Sequence, residues 1–254
     1  MIKKENGIEY EVIKSKKDSK ANLIFVHGTG CNKNFLRALA EVFEEYDCYL
    51  IDLPGHGKSD NTGYDFDNYI KAISYLTKKL SNVILIGHSL GGTLVSKVAS
   101  LNLRSVAGAI ILNSGASYPK INKTFLKKCH EGVLDKEYLL EACGHSENED
   151  VQKAMNSMEP VGIFLVDFFI DESLSIEASL KHVKVPTLIL GGEDEILVIP
   201  EYVKKLNKLI RNSKLVMIPG GRHMVCVAKK HEVKDLICDF IERNILKENV
   251  FSER

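Results

Sequence analysis

The chain has 254 residues, enough for one large domain or for one domain that carries a modest insertion. Its 34 basic and 34 acidic side chains balance to a net charge of zero, which gives no electrostatic reason to expect nucleic acid or an anionic membrane as a partner. The six cysteines lack metal-like spacing, no apolar run is long enough to span a bilayer, and the charged N-terminus leads into no apolar stretch, so we expect a cytoplasmic protein with a small-molecule substrate.

The first residues predict a β-hairpin. Two β-prone stretches, 2–5 and 8–14, flank Asn6 and Gly7, a pair that suits a tight primed turn. After a charged loop the pattern changes to near-continuous apolar runs, which are typical of parallel strands covered on both faces. These runs are 22–27, 48–52, 83–87, 106–112, 186–191 and 214–218.

Amphipathic helices are predicted between the strands. One helical stripe of apolar residues runs from Phe35 to Tyr46, and another runs from Val233 to Ile245. Strands and helices that alternate at this spacing predict an α/β fold with a doubly wound, mostly parallel sheet. Together with the N-terminal antiparallel hairpin, we expect this sheet to have eight strands.

The first of the parallel strands ends in a glycine-rich turn, residues 27–30, with the sequence HGTG. Its glycines let the backbone approach a ligand closely. The backbone N–H of Thr29 is therefore a candidate donor to an oxyanion. A plain turn between a strand and a helix explains the same glycines, so the functional interpretation of this motif needs support from a second motif.

The second motif is the segment 87–92, with the sequence GHSLGG. It follows the apolar run 83–87 and precedes a helix-like stretch at 93–101, which is the context of a nucleophile elbow. The elbow presents the Ser89 hydroxyl above the sheet, at the amino end of the new helix. Ser89 is thus the predicted nucleophile, and the backbone N–H of Leu90 is the predicted second oxyanion donor.

The alternation of strands and helices breaks between residues 118 and 180. This interval contains helical segments at 123–129, 136–143 and 151–158 but no clear strand, and it is too long for a loop. We expect a helical cap at 118–180, inserted into a core formed by 1–117 and 181–254. Phe164, Phe168 and Met158 are candidates to line an apolar acyl pocket, although packing of the cap onto the sheet explains the same residues.

A loop with three carboxylates follows the run 186–191: Glu193, Asp194 and Glu195. It lies at the carboxyl end of a parallel strand, where ligands bind in sheets of this kind. An acid that orients the general base belongs between the serine and the histidine in chain order. Local pattern alone does not separate the three residues.

The predicted general base is His223. A serine hydroxyl needs a base close by, and eight histidines are available. His223 lies in the loop that follows the last strand, from which it can reach the elbow. The other histidines lie in glycine-containing turns, in or beside the insertion, or among lysines on a helix.

These motifs carry a family resemblance. They are the turn 27–30, the segment 52–59 with the sequence DLPGHGKS, the elbow 87–92, Gly191 with Asp194, and the late glycine before His223. In this order they resemble the α/β-hydrolase superfamily, particularly its single-domain esterase-like branch. The resemblance implies the fold of that family and selects Asp194 as the acid that orients His223. The sequence departs from the family pattern at Arg222, where the family has glycine, so we expect the loop that carries His223 to be slightly displaced.

The residues together predict a serine hydrolase that works without a metal or an organic cofactor. Its expected substrate is a carboxylic ester with a small or medium, mostly apolar acyl group, cleaved through an acyl-enzyme intermediate. A carbon–carbon bond or thioester hydrolase would use the same three side chains, and a buried Arg or Lys facing Ser89 would favour it. A ligand-binding protein of this fold with little turnover is the alternative from another class. The sequence indicates no oligomeric state.

Overall fold

A single mixed sheet organises the chain. The computed structural model describes residues 1–246, and within them the sheet has eight strands in the spatial order 1-2-4-3-5-6-7-8. The strands are β1 Ile2–Glu5, β2 Ile8–Ile13, β3 Asn22–Val26, β4 Asp47–Ile51, β5 Val83–His88, β6 Val106–Leu112, β7 Thr187–Gly192 and β8 Ser213–Ile218.

The sheet confirms the predicted topology. β1 and β2 form an antiparallel hairpin whose turn residues Asn6 and Gly7 both have positive φ, as a primed turn requires. β2 pairs antiparallel with β4, and the strands from β4 to β8 pair in parallel. The carboxyl ends of the parallel strands therefore meet along one edge of the sheet.

Helices cover both faces of this sheet. One cluster of buried side chains packs α2, α3 and α9 against one face, and a second packs α1, α10 and α11 against the other. The described helices are α1 Arg37–Ala40, α2 Phe66–Lys78, α3 Leu90–Ala99, α4 Lys123–His130, α5 Lys136–Cys143, α6 Glu149–Asn156, α7 Val161–Ser173, α8 Glu177–Leu180, α9 Pro200–Leu209, α10 Val225–Ala228 and α11 Lys230–Ile241, which continues as a π-helix over Glu242–Leu246.

The helix predicted from the stripe between Phe35 and Tyr46 is much shorter than that stripe. Only Arg37–Ala40 is α-helical. The chain then continues through turns closed by bonds from residue i to residue i−3, such as Phe43 N–H to Ala40 O and Tyr46 N–H to Phe43 O. These turns bury the same apolar side chains while returning the chain to β4, so the periodicity was informative about burial but not about helix length.

Five helices, α4 to α8, occupy the interval between β6 and β7. Three of them are capped at the N-terminus by Asn122, Asp135 and Asn148, whose side chains accept hydrogen bonds from backbone N–H groups of the first turn. An isolated bridge between Ser117 and Ser175 closes the base of this excursion. One buried cluster runs through these helices and one face of the sheet, so the division into a core and a cap at 118–180 stays a prediction.

None of the helices described is both long enough and apolar enough to cross a membrane.

Candidate active site

Ser89 occupies a strained turn between β5 and α3. Its φ of 55° and ψ of −125° lie outside the regions that a serine normally adopts, and such a conformation costs about 1–3 kcal/mol. Glycines make the turn possible, because a Cβ at Gly87 or Gly91 would lie 2.2 Å from a backbone oxygen. The Ser89 N–H donates to Leu112 O at 3.0 Å, which ties the elbow to the end of β6.

His223 lies in the loop after β8, against the carboxyl end of the sheet. Its ring Nδ1 is 2.7 Å from Oε2 of Glu195. Ser89 and His223 line the same cavity. Among the hydrogen bonds within residues 1–246, none joins the Ser89 hydroxyl to the His223 ring. In an enzyme without substrate such a contact is often long and shortens on binding.

The carboxylate that contacts His223 is Glu195, so the prediction of Asp194 for this position was wrong. Glu195 is buried beside the imidazole, whereas Asp194 is exposed and contacts the His223 loop only through its backbone N–H, which donates to Gly221 O at 3.0 Å. The loop after β7 directs Asp194 outward and Glu195 inward, and the extra methylene of glutamate lets its carboxylate reach Nδ1.

Glu195 is held at both of its oxygens. Oε2 also accepts from Asn113 Nδ2 at 2.7 Å, and Oε1 accepts from the Leu197 N–H at 2.8 Å. Burial alone would raise the pKa of Glu195, but the charge of His223 and these hydrogen bonds outweigh it and hold that pKa below its usual range. Glu195 is therefore a fixed carboxylate that keeps the Nδ1 proton of His223 in place.

His88, the residue before the elbow serine, supports His223 from a second side. Its Nε2 lies 2.9 Å from the backbone oxygen of His223, and the two ring centroids are 4.6 Å apart. Burial, reinforced by the neighbouring His223, lowers the pKa of His88 to about 3, so its ring is neutral at pH 7. A neutral ring that faces a carbonyl carries its proton on Nε2 and donates it.

The two predicted oxyanion donors lie on adjoining loops. Leu90 begins α3 and Thr29 follows β3, and a Cβ at Gly28 would lie 2.9 Å from the Ser89 Cβ. Within the described part of the chain, neither the Thr29 nor the Leu90 N–H donates to a protein acceptor. Both donors are thus available beside the serine, as an oxyanion hole requires.

The cavity around Ser89 is small and mostly apolar. Its volume is about 60 Å³, which holds a few waters or a short acyl chain. Phe164, Phe168 and Met158, the candidates for an acyl pocket, all lie in its wall. The residues that line it include no Arg or Lys, and within residues 1–246 no cluster of three or more His, Cys, Asp or Glu side chains has the arrangement of a metal site.

The helices of 118–180 contact the His223 loop through main-chain hydrogen bonds. The N–H groups of His223 and Met224 donate to the carbonyl oxygens of Ala142 and Cys143, at 3.1 and 3.0 Å. Arg222, the residue that departs from the family pattern, extends over Gly144 and donates from Nη1 to Glu141 O at 2.9 Å. The end of α5 thus holds the loop that carries His223.

Sequence reasoning missed two further carboxyls that reach the site. Asp167 and Asp171 of α7 are buried and contact the turn that carries Thr29. A signal was present, because two acids four residues apart inside an apolar helix share one face and require buried partners.

Comparison with known proteins gives a consistent result. A family model described as "Alpha/beta hydrolase family" matches residues 23–236. The chain is 28% identical over 226 residues to the pimeloyl-(acyl-carrier protein) methyl ester esterase of Wigglesworthia glossinidia brevipalpis. The matched region covers 80% of this chain and 86% of that protein.

Two solved structures are similar to this fold. A lipase-esterase related protein from Clostridium acetobutylicum has a TM-score of 0.88 and 31% identity, covering 92% of this chain and 100% of that one. An esterase from Exiguobacterium antarcticum has a TM-score of 0.78 over 92% of this chain and 95% of its own, at 21% identity, and therefore shows the fold alone.

Proposed function

The chain belongs to the alpha/beta hydrolase family and is an esterase-type hydrolase, and from this premise we propose that Ser89 is its nucleophile and that it cleaves esters through an acyl-enzyme intermediate. One observation carries the proposal. The strained Ser89 shares an apolar cavity with His223, and the buried carboxylate of Glu195 contacts the imidazole of His223 at Nδ1.

The proposed first half of the reaction forms the acyl-enzyme. Ser89 Oγ attacks the ester carbonyl while His223 Nε2 takes the hydroxyl proton. The carbonyl oxygen becomes an oxyanion and accepts hydrogen bonds from the N–H groups of Thr29 and Leu90. As the tetrahedral intermediate collapses, the bond to the leaving alkoxy group breaks, and His223 gives its proton to that group, which departs as an alcohol.

In the second half of the reaction, water hydrolyses the acyl-enzyme. His223 takes a proton from water, the hydroxide attacks the acyl carbon, and the bond to Ser89 Oγ breaks as His223 returns a proton to it. Throughout, Glu195 keeps the Nδ1 proton of His223 in place and stabilises the ring while it is positively charged. Each turnover consumes one ester and one water and releases one acid and one alcohol.

The cavity supports a small or medium, mostly apolar acyl group. Phe164 and Phe168 on α7 and Met158 before it form apolar wall. A volume of about 60 Å³ corresponds to a few waters or a short acyl chain. The feature that would favour a carbon–carbon bond or thioester hydrolase, a buried Arg or Lys facing Ser89, does not occur among the residues that line the cavity.

The proposal is tested by the hydrolysis of nitrophenyl esters of graded acyl length. We expect turnover with a short-chain optimum, and we expect Ser89→Ala to lower kcat by about 10⁵–10⁶-fold, because the three side chains act as a unit. Ser100→Ala, at the other end of α3, is the matched control and should retain wild-type kcat. Wild-type turnover no greater than that of Ser89→Ala on every ester would overturn the proposal and favour the ligand-binding alternative.

A further inference from the structure

The turn that carries Thr29 is bonded to the segment before α7. We call residues 28–32 the oxyanion loop. The Glu159 N–H donates to Gly30 O at 2.9 Å, and Asn32 Nδ2 donates to Ser157 O at 2.6 Å. The loop on which one oxyanion donor lies is therefore bound to residues inserted more than a hundred positions later in the chain.

Two carboxyls of α7 bind neighbouring residues of this loop. Asp167 Oδ2 accepts from the Gly30 N–H at 2.8 Å, and Asp171 Oδ2 accepts from the Thr29 hydroxyl at 2.5 Å. Because residues four apart lie on one face of a helix, a single face of α7 contacts both Thr29 and Gly30.

Asp167 anchors this face to the core. His56 Nε2 lies 2.9 Å from its Oδ2, and the Tyr69 hydroxyl donates to its Oδ1 at 2.7 Å. The other ring nitrogen of His56 lies 3.1 Å from Pro54 O, so both nitrogens face acceptors and both carry protons. Asp167 is thus a paired carboxylate in a fully buried network.

Asp171 is different, because the Thr29 hydroxyl is the one hydrogen-bond partner of its carboxyl group within the described residues. Its Oδ1 is buried without a partner, although the residue lines the cavity. Burial raises the pKa of Asp171 to about 8, with the Thr29 hydroxyl lowering it and the charge of Asp167 raising it, so the side chain is a neutral acid at pH 7. A buried polar atom left unpaired is destabilising, so its presence requires an explanation.

We propose that Asp171 is a positioning residue for the oxyanion hole: by holding the Thr29 hydroxyl, it fixes the direction of the Thr29 N–H. The inference depends on the proposed function, since it concerns the same acyl transfer at Ser89. It implies that the hole is fully formed only while α7 is docked, because α7 supplies both contacts to the loop. Removal of the contact weakens stabilisation of the transition state more than it weakens substrate binding.

The test measures kcat and KM separately for Asp171→Ala, Asp171→Asn and Thr29→Val on a short-chain nitrophenyl ester. Loss of a whole oxyanion donor costs about 10²–10³-fold in kcat, so misdirection of one donor should cost about 10–100-fold. We expect that loss in Asp171→Ala and Thr29→Val, with KM changed less than about threefold. Asp171→Asn keeps a neutral acceptor for the Thr29 hydroxyl and should recover most of kcat.

A double-mutant cycle and a boronic acid give independent readouts. The double variant Thr29→Val with Asp171→Ala should be no slower than either single variant, because both remove one contact. An alkyl boronic acid, which forms a tetrahedral adduct with the serine, should lose affinity by the same factor as kcat. Ser173→Ala, on the exposed side of α7, is the control and should match the wild type.

The outcomes separate the two proposals. An inert wild type overturns the proposed function and this inference with it. An active wild type whose Asp171→Ala variant keeps its kcat, or loses efficiency through KM alone, overturns the inference and leaves the function standing. Additive losses in the double variant also contradict it, since Asp171 and Thr29 would then act separately.

Discussion

At the scale of single residues, the loop after β7 decides which carboxylate contacts His223, the proposed general base. Glu193, Asp194 and Glu195 follow one another, and the family resemblance favours the aspartate. The backbone instead binds Asp194 N–H to Gly221 O and turns Glu195 into the site, where Asn113 and the Leu197 N–H fix it. Side-chain direction in an irregular loop depends on such long-range bonds, which no local pattern contains.

The assignment of Glu195, rather than Asp194, as the carboxylate that orients His223 is directly testable. We expect Glu195→Gln to lower kcat by about 10⁴-fold, because an amide at this position favours the wrong imidazole tautomer of His223. Asp194→Asn should keep wild-type kcat, since its side chain is exposed. Ester hydrolysis by the two purified variants measures both effects. Inactivation of Asp194→Asn, with an active Glu195→Gln, would restore the original assignment.

At the scale of elements, the sequence predicted the strands and the elbow better than the contacts of the cap. Continuous apolar runs and a glycine-flanked serine are local signals, and β5 and α3 meet around Ser89 as expected. Contacts between α7 and the oxyanion loop join residues far apart in the chain, so only the folded structure brings Asp167 beside Gly30 and His56. The sequence showed the two acids of α7, Asp167 and Asp171, but not the residues that they contact.

The buried pair of His56 and Asp167 makes the docking of α7 depend on pH. Burial lowers the pKa of His56, but the hydrogen bond and charge of Asp167 outweigh it and raise that pKa above its ordinary 6.5. The stabilisation is therefore complete below pH 6.5 and is lost as pH rises through the higher folded pKa. We expect Asp167→Asn to lower the free energy of unfolding by about 3–5 kcal/mol near pH 6.

Urea unfolding of the wild type and Asp167→Asn from pH 6 to pH 9 measures this dependence. The difference between the two proteins should narrow as pH rises, because the wild type loses the His56 proton and the variant has no pair to lose. Asp235→Asn, an exposed acid on α11, serves as the control for a change of one charge. A difference that stays constant over this range would contradict a charged pair.

At the scale of the whole molecule, the helices of 118–180 and the sheet share one hydrophobic cluster. Phe125, Leu139 and Phe168 from the inserted helices belong to the same buried cluster as Leu112 and Ile218 of the sheet. Apolar burial stabilises the fold in proportion to area, so separating the two parts would expose this shared surface. We therefore expect these helices to unfold together with the sheet rather than as a separate unit.

We accordingly expect a single unfolding transition in the protein. Hydrogen exchange followed by mass spectrometry in increasing urea should show α7 and α3 losing protection at the same midpoint. Near-ultraviolet circular dichroism of the tyrosines should give that midpoint as well, since the chain has no Trp. Loss of protection in α7 well before α3 would show instead that 118–180 opens as a separate unit.

The main-chain bonds between the end of α5 and the His223 loop bear on how such a protein can diverge in evolution. Their donors and acceptors are the N–H groups of His223 and Met224 and the carbonyls of Ala142 and Cys143. Carbonyl groups are present whatever the side chain. Mutations can therefore replace α5 side chains one at a time while His223 stays in place. A lineage can inherit one reaction while its choice of substrate drifts.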